Sequence, residues 1–238
     1  MTAPIAPSAS GTRADALPPS AVFVSPTGPV PRITSWSGEV LQRPRRIRHD
    51  DGGKQIGYWQ ETAGDRVNGV LVLRSTGEPG QGVPVWTRSH PGRQVQLMLT
   101  MACRVCGEPA DHTEQGTLWL LPRPRMRSGR VRRLAAGWPE GAVVEHPPVC
   151  AAHALQAPGL CRALDGALLV RVTASEVWGV AGWCLGPEME PVQGSFSFTE
   201  PELLRWVVAT HVLRTVTGCT VLTAEELRAD LACRRGGR

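Results

Sequence analysis

The chain has 238 residues, 42% apolar and 20% charged, which is enough for a real hydrophobic core. No apolar run approaches the ~20 residues that cross a bilayer, so a membrane-spanning helix is excluded. The net charge of +5 permits a nucleic-acid partner without demanding one, because Lys54 is the only lysine and the arginine excess is compositional; only clustered arginines carry weight.

Residues 1–32 are rich in Ala, Pro, Ser and Thr and poor in large apolar side chains, which predicts a disordered arm. The arm has no basic segment leading into an apolar core, so no secretory signal is expected and a cytoplasmic location follows. In that reducing compartment the seven cysteines are expected to be thiols or metal ligands.

From residue 33 the pattern becomes structured. GYWQE (57–61), GVLVLRS (69–75) and VPVWT (83–87) read as strands, with GEPGQG (77–82) as a loop. SHPGRQVQLMLTMA (89–102) reads as a helix, with Val95, Met98, Leu99 and Ala102 on one face, Ser89 as N-cap and Pro91 in the first turn. GTLWLLP (116–122) and GAVVEH (141–146) are predicted strands, and PPVCAAHALQA (147–157) a helix entered through its prolines. ALLVRVTA (167–174) and EVWGVAGWCL (176–185) read as a hairpin or two adjacent strands. TEPELLRWVVATHVLRTV (199–216) predicts a helix, because Leu203, Leu204, Val207, Val208, His211 and Val212 form one apolar stripe at helical spacing. TAEELRADLA (223–232) predicts another, with Thr223 and Glu226 as a capping box. The expected fold class is α+β: the arm at 1–32, a β-rich region at 33–99, a metal module at 100–160 and a C-terminal region of strands and helices at 161–238.

The chemistry concentrates in MACRVCGEPADHT (101–113) and in the helix predicted at 147–157. Cys103-x-x-Cys106 can turn around a metal so that both sulfurs face it, with Gly107 relieving the backbone just beyond. Cys150-x-x-His153 is the matching pair, three residues apart on one side of a helix, and a helix N-terminus favours a thiolate. Cys103, Cys106, Cys150 and His153 are therefore the expected ligands of a structural Zn²⁺. Cys161, His112 or His146 stands as an alternative to one ligand. A thioredoxin-like redox pair would need a helix starting at the motif, and Gly107, Glu108 and Pro109 are turn chemistry instead.

The order of CxxC turn, two strands and a helix carrying the second pair resembles the treble-clef family of zinc modules, over roughly residues 100–157. That resemblance implies a structural zinc. The chain departs from it in the long span between the pairs, where an arginine-rich loop is inserted. The text also resembles actinobacterial proteins with this CxxC…CxxH arrangement, and no activity comes with that likeness. A ββα-metal nuclease, suggested by Asp111–His112, has the wrong spacing, because His112 precedes the strand.

RPRMRSGRVRR (123–133) places Arg123, Arg125, Arg127, Arg130, Arg132 and Arg133 in one block suited to a phosphate backbone, and RPRRIR (43–48) is a second basic block. Trp119 and Trp138 bracket the first block and are expected to pack their own strands. The eight tryptophans are spread evenly, which predicts core and hairpin packing rather than a stacking platform. No glycine-rich phosphate loop, nucleophile elbow or HExxH helix occurs. The expected function is a binding role: a zinc-stabilised, nucleic-acid-associated or regulatory protein acting on DNA or RNA through the arginine block. The alternatives are a protein-interaction scaffold and, third, a metal-dependent nuclease-like enzyme.

Overall fold

A computed structural model describes residues 23–25, 28–48, 54–123, 136–161, 164–186 and 190–236. The strands of the N-terminal region are Phe23–Ser25 (β1), Gly28–Val30 (β2), Thr34–Trp36 (β3), Val40–Leu41 (β4), Arg45–Arg48 (β5) and Lys54–Gly57 (β6). They are followed by Arg66–Val67 (β7), Val70–Val72 (β8), Ser75–Thr76 (β9) and Pro84–Ser89 (β10), and then by the helix Pro91–Leu99 (α1). Next come His112–Thr113 (β11), Gly116–Leu121 (β12), Val143–Val144 (β13) and the helix Ala151–Leu160 (α2). The chain closes with Leu168–Cys184 (β14), Val192–Ser197 (β15), the single turn Pro201–Leu204 (α3), Val207–Leu222 (β16) and the helix Ala224–Gly236 (α4). Strands and helices together make an α+β fold.

One mostly antiparallel, eight-stranded sheet runs β11-β12-β14-β16-β8-β7, with β15 beside β14 and β13 beside β16. Its spine is the long pair β14 and β16, in register from Leu169↔Leu222 to Cys184↔Val207. The register shifts between Ala181 and Gly182, where a Cβ on Gly182 would stand 2.1 Å from the Val208 carbonyl oxygen; the close approach requires glycine. The smaller pairs β1–β2, β3–β10, β4–β9 and β5–β6 lie outside this sheet.

The sheet is buried on both faces around β12 and β14. Trp119, Leu121, Val170 and Val172 point to one face, where they pack with Val95 and Met98 of α1 and with Val212 and Val216. Leu118, Leu120 and Leu169 point to the other, where they meet Val149, Ala151 and Ala154 at the start of α2, Leu227 of α4, and Cys103 and Cys106. Period-two alternation therefore delivers two cores from one strand, as expected of a strand covered on both sides. Gln94 joins α1 to the sheet: its amide donates to the carbonyls of Glu145 (2.7 Å) and Val212 (3.0 Å), and its oxygen accepts from the Val212 amide (2.8 Å).

Several expectations need correction. Residues 199–216 are not one helix: only Pro201–Leu204 turns, and Val207 onward is strand. Val207, Val208, Ala209, Val212 and Leu213 are all buried, so both faces of β16 are covered there and helical spacing is mimicked by a doubly buried strand. Its β-branched Val207, Val208, Thr210, Val212, Thr215 and Val216 favour the pleated form. The segments 167–174 and 176–185 form one strand, with no turn between them. The strand expected at 57–61 lies earlier, at Lys54–Gly57, and 141–146 contributes only Val143–Val144. The N-cap of α1 is His90, whose Nδ1 accepts from the Arg93 amide at 3.2 Å, and not Ser89. The capping box of α4 forms as expected: Thr223 N–H donates to Glu226 Oε2 (2.7 Å) and Glu226 N–H to Thr223 Oγ1 (3.1 Å). Of the expected arm, residues 1–22 and 26–27 lie outside the described residues, whereas β1 and β2 pair. Among the described residues no helix is long and apolar enough to cross a membrane.

Candidate metal centre

The first half of the site is a tight turn after α1. Cys103 N–H donates to the Glu108 carbonyl (2.7 Å), Gly107 N–H donates to the Cys103 carbonyl (2.8 Å), and Ala102 bridges Pro109. The turn needs Gly107 at φ +80°, and a Cβ there would stand 2.4 Å from Cδ of the buried Arg32. Residues 32–33 brace the turn from outside: Arg32 N–H donates to Val105 O (2.8 Å) and Ile33 N–H to Arg104 O (3.1 Å).

The second half is the approach to α2. Pro148 accepts from Arg104 N–H (3.1 Å), and Val149 accepts from Asp111 N–H (3.0 Å) while donating to Leu118 O (3.0 Å). The segment is thereby held between the turn and β12. Cys150 follows as the N-cap of α2, and His153 stands in the first helical turn.

These elements bring Cys103, Cys106, Cys150 and His153 together, with one ligand atom of each lying within 4.8 Å of all the others. His153 Nδ1 is 3.0 Å from Cys150 Sγ and 3.7 Å from Cys103 Sγ. Donors ~2.0–2.3 Å from a tetrahedral zinc would be roughly 3.5–3.8 Å apart, so small movements close the cluster on an ion. Both cysteines of the turn are buried, and all three cysteines of the cluster are free of disulfides.

Of the three thiols, only Cys103 is shifted toward the thiolate. A hydrogen bond from the Cys150 thiol, helped by the Cys106, Cys150 and Val105 amides, holds the Cys103 thiol down to about 4 against the effect of burial. Its partner Cys150 is pushed up, by that same bond and by burial, and burial raises Cys106. Beside Cys103 lies Arg104, only 7% exposed, whose Nη2 has no hydrogen-bond partner. Burial pulls Arg104 down to about 10, and the negative charge of Cys103 and Cys161 works in the opposite direction. Three thiolates, one imidazole and a divalent ion carry a net charge of −1. The buried Arg104 guanidinium is a counter-charge that such a set calls for, and soft sulfur donors with one imidazole fit zinc.

The other candidates stand apart. His112 Nδ1 pairs with Thr117 Oγ1 at 3.0 Å, His146 Nε2 lies 3.9 Å from Glu145, and Cys161 is exposed at the C-terminal end of α2. None of the three belongs to the cluster. Of the arginine block, Arg123 is exposed and donates to Gly166 O (3.0 Å), whereas Arg125, Arg127, Arg130, Arg132 and Arg133 lie outside the described residues. His211, expected on a helix, is on β16, and Trp119 is fully buried in the core.

A charged latch next to the cluster has no local sequence signal. Asp111 accepts from Arg171 Nη2 (2.5 Å) and Arg234 Nη1 (2.9 Å), and Asp230 accepts from Arg171 Nη2 (3.2 Å) and Arg234 Nη2 (2.7 Å). Arg171 is 0% exposed. The latch ties α4 to the segment between the CxxC turn and β12: Asp111 lies 60 and 123 positions from its two arginines, and only Asp230 and Arg234 are neighbours on one helix. Comparison with family models, curated proteins and solved structures returns no match.

Proposed function

We propose that the protein is a non-enzymatic, zinc-stabilised binding protein whose partner is nucleic acid. The observation that carries the zinc reading is the gathering of three sulfurs and one imidazole, with Cys103 and Cys106 buried and Cys150 and His153 half-buried. A catalytic zinc keeps a position open and works with a general base, and here four protein donors are enough to fill a tetrahedral shell. The turn bearing Cys103 and Cys106, the β11–β12 hairpin and α2 capped by Cys150 follow the order of a treble clef, and we read the module as one. The zinc supplies cohesion that a small module cannot build alone, and a cytoplasmic setting keeps its thiols reduced. The nucleic-acid reading rests on the six clustered arginines of 123–133, each able to neutralise a phosphate.

Elemental analysis of the purified chain tests the first half, with one zinc per chain expected and its loss expected on replacing Cys103 or Cys150 by Ser. A gel-shift series tests the second. Retention of DNA or RNA should weaken with salt and drop when Arg123, Arg125, Arg127, Arg130, Arg132 and Arg133 become Gln. A chain that holds zinc, shifts no nucleic acid and co-purifies with a protein would instead be a scaffold.

A further inference from the structure

The second basic block leads to a site separate from the metal. β5 and β6 pair from Arg45↔Gly57 to Arg48↔Lys54, so the chain just before β5 and the chain just after β6 emerge side by side. Between them an open groove of about 640 Å³ is walled by Arg43, Arg45, Tyr58, Trp59, Gln60 and Arg74. That volume is in the range of ligand sites.

The groove has a fixed floor and unspent walls. Arg74 is neutralised by Asp65 through two hydrogen bonds (2.7 and 2.5 Å), also donates to Gln60 O (2.8 Å), and lies 4.5 Å over the ring of Tyr58. The Tyr58 hydroxyl accepts from Arg74 N–H (2.8 Å) and donates to Val72 O (3.2 Å), so floor and sheet are joined. Arg43 and Arg45, by contrast, are exposed and form no ion pair among the described residues. Trp59 departs from the packing expected of tryptophan here: it is 86% exposed, and its indole packs no core.

Two exposed guanidiniums, without an ion pair among the described residues, beside an exposed indole match a ligand with both negative charge and a planar π-face. Guanidinium grips phosphate through paired hydrogen bonds, and an indole stacks any nucleobase. An acidic peptide would satisfy the arginines and leave the indole in water. A duplex would hide its base faces inside its own stack. We infer that this groove binds a single-stranded nucleic acid, with backbone phosphates on Arg43 and Arg45 and an unpaired base on Trp59. The inference rests on the nucleic-acid reading above and assigns it a second contact, distinct from the 123–133 block.

The test uses the full zinc-loaded chain and fluorescence anisotropy of labelled oligothymidylate and oligouridylate of about a dozen nucleotides, with a matched duplex as comparison. Trp59→Ala should weaken single-strand binding by a factor of about 5 to 150, the equivalent of the ~1–3 kcal/mol of one stacked base, while Trp59→Phe retains most of it. Arg43→Gln with Arg45→Gln should flatten the salt dependence of log K by about 1.4, at ~0.7 for each phosphate released. These variants should keep their zinc, because the groove lies outside the cluster. If the wild-type chain binds single strands and Trp59→Ala binds equally well, the groove is not the contact, and the arginine-block variant alone then carries the nucleic-acid reading. If the wild-type chain binds neither single strand nor duplex, that reading falls and takes the groove with it. Polyglutamate displacing oligothymidylate as effectively as oligouridylate does would also overturn the assignment, since it would mean charge without stacking.

Discussion

Removing the zinc should loosen one face of the sheet and leave the other intact. An ion held by the four donors would tie Cys106 to Cys150 across a loop of about 44 residues, and a cross-link of that span is worth about 4 kcal/mol in chain entropy. That is a large share of the ~5–15 kcal/mol that holds a domain together. The loss should spread beyond the ligands, because Cys103 and Cys106 share a core with Leu118, Leu120, Val149, Ala154, Leu169 and the fully buried Leu227 of α4. Hydrogen exchange read by mass spectrometry, with and without a chelator, gives the answer segment by segment. Protection should fall in 102–121, 148–160 and 224–234. It should persist in 91–98 and 207–216, which belong to the opposite core with Val95, Met98, Val212 and Val216. If α4 keeps full protection while the CxxC turn loses it, the shared core is not coupled to the metal. If chelation changes no segment, the site is not a structural zinc centre.

Three further outcomes follow from named contacts. Asp111→Ala leaves the buried Arg171 with one carboxylate, Asp230 at 3.2 Å, beside two long bonds to carbonyls, and should destabilise the protein by about 3–5 kcal/mol, read as a drop in urea midpoint, with α4 the first element to exchange. Gly107→Ala places a Cβ against Arg32 at a left-handed position, so it should cost about 1–3 kcal/mol and speed zinc loss to a chelator. Acid should unlock the floor of the groove. Burial raises the Asp65 carboxyl, but bonds from Arg74 and Thr62 outweigh it and bring it down to about 2. A depressed carboxyl adds stability above its unfolded value near 3.8, and that stability is lost as pH falls towards 2. Unfolding of wild type and Asp65→Asn should therefore differ by about 2 kcal/mol at neutral pH and converge in acid. A gap that persists at low pH would refute this account.

The sequence by itself determined those features that depend on neighbours within a turn or two. The spacing of Cys103 and Cys106, and of Cys150 and His153, announced a set of four donors, because each pair is organised by its own local backbone. The capping box at Thr223 and Glu226 and the proline-led start of α2 were legible for the same reason. Tertiary structure decided the rest. Residues 207–216 carry apolar side chains on both sides, and only the layers above and below them show that this is a strand with two buried faces. Trp59 could have been core or surface, and Arg104 could have been solvated; burial is a property of what the rest of the chain places around a residue. Asp111 looked like an ordinary turn acid until Arg171 and Arg234 reached it from the far end of the chain. Local periodicity fixes which bonds a segment can make with itself, whereas long-range packing fixes which of its side chains meet water, charge or metal.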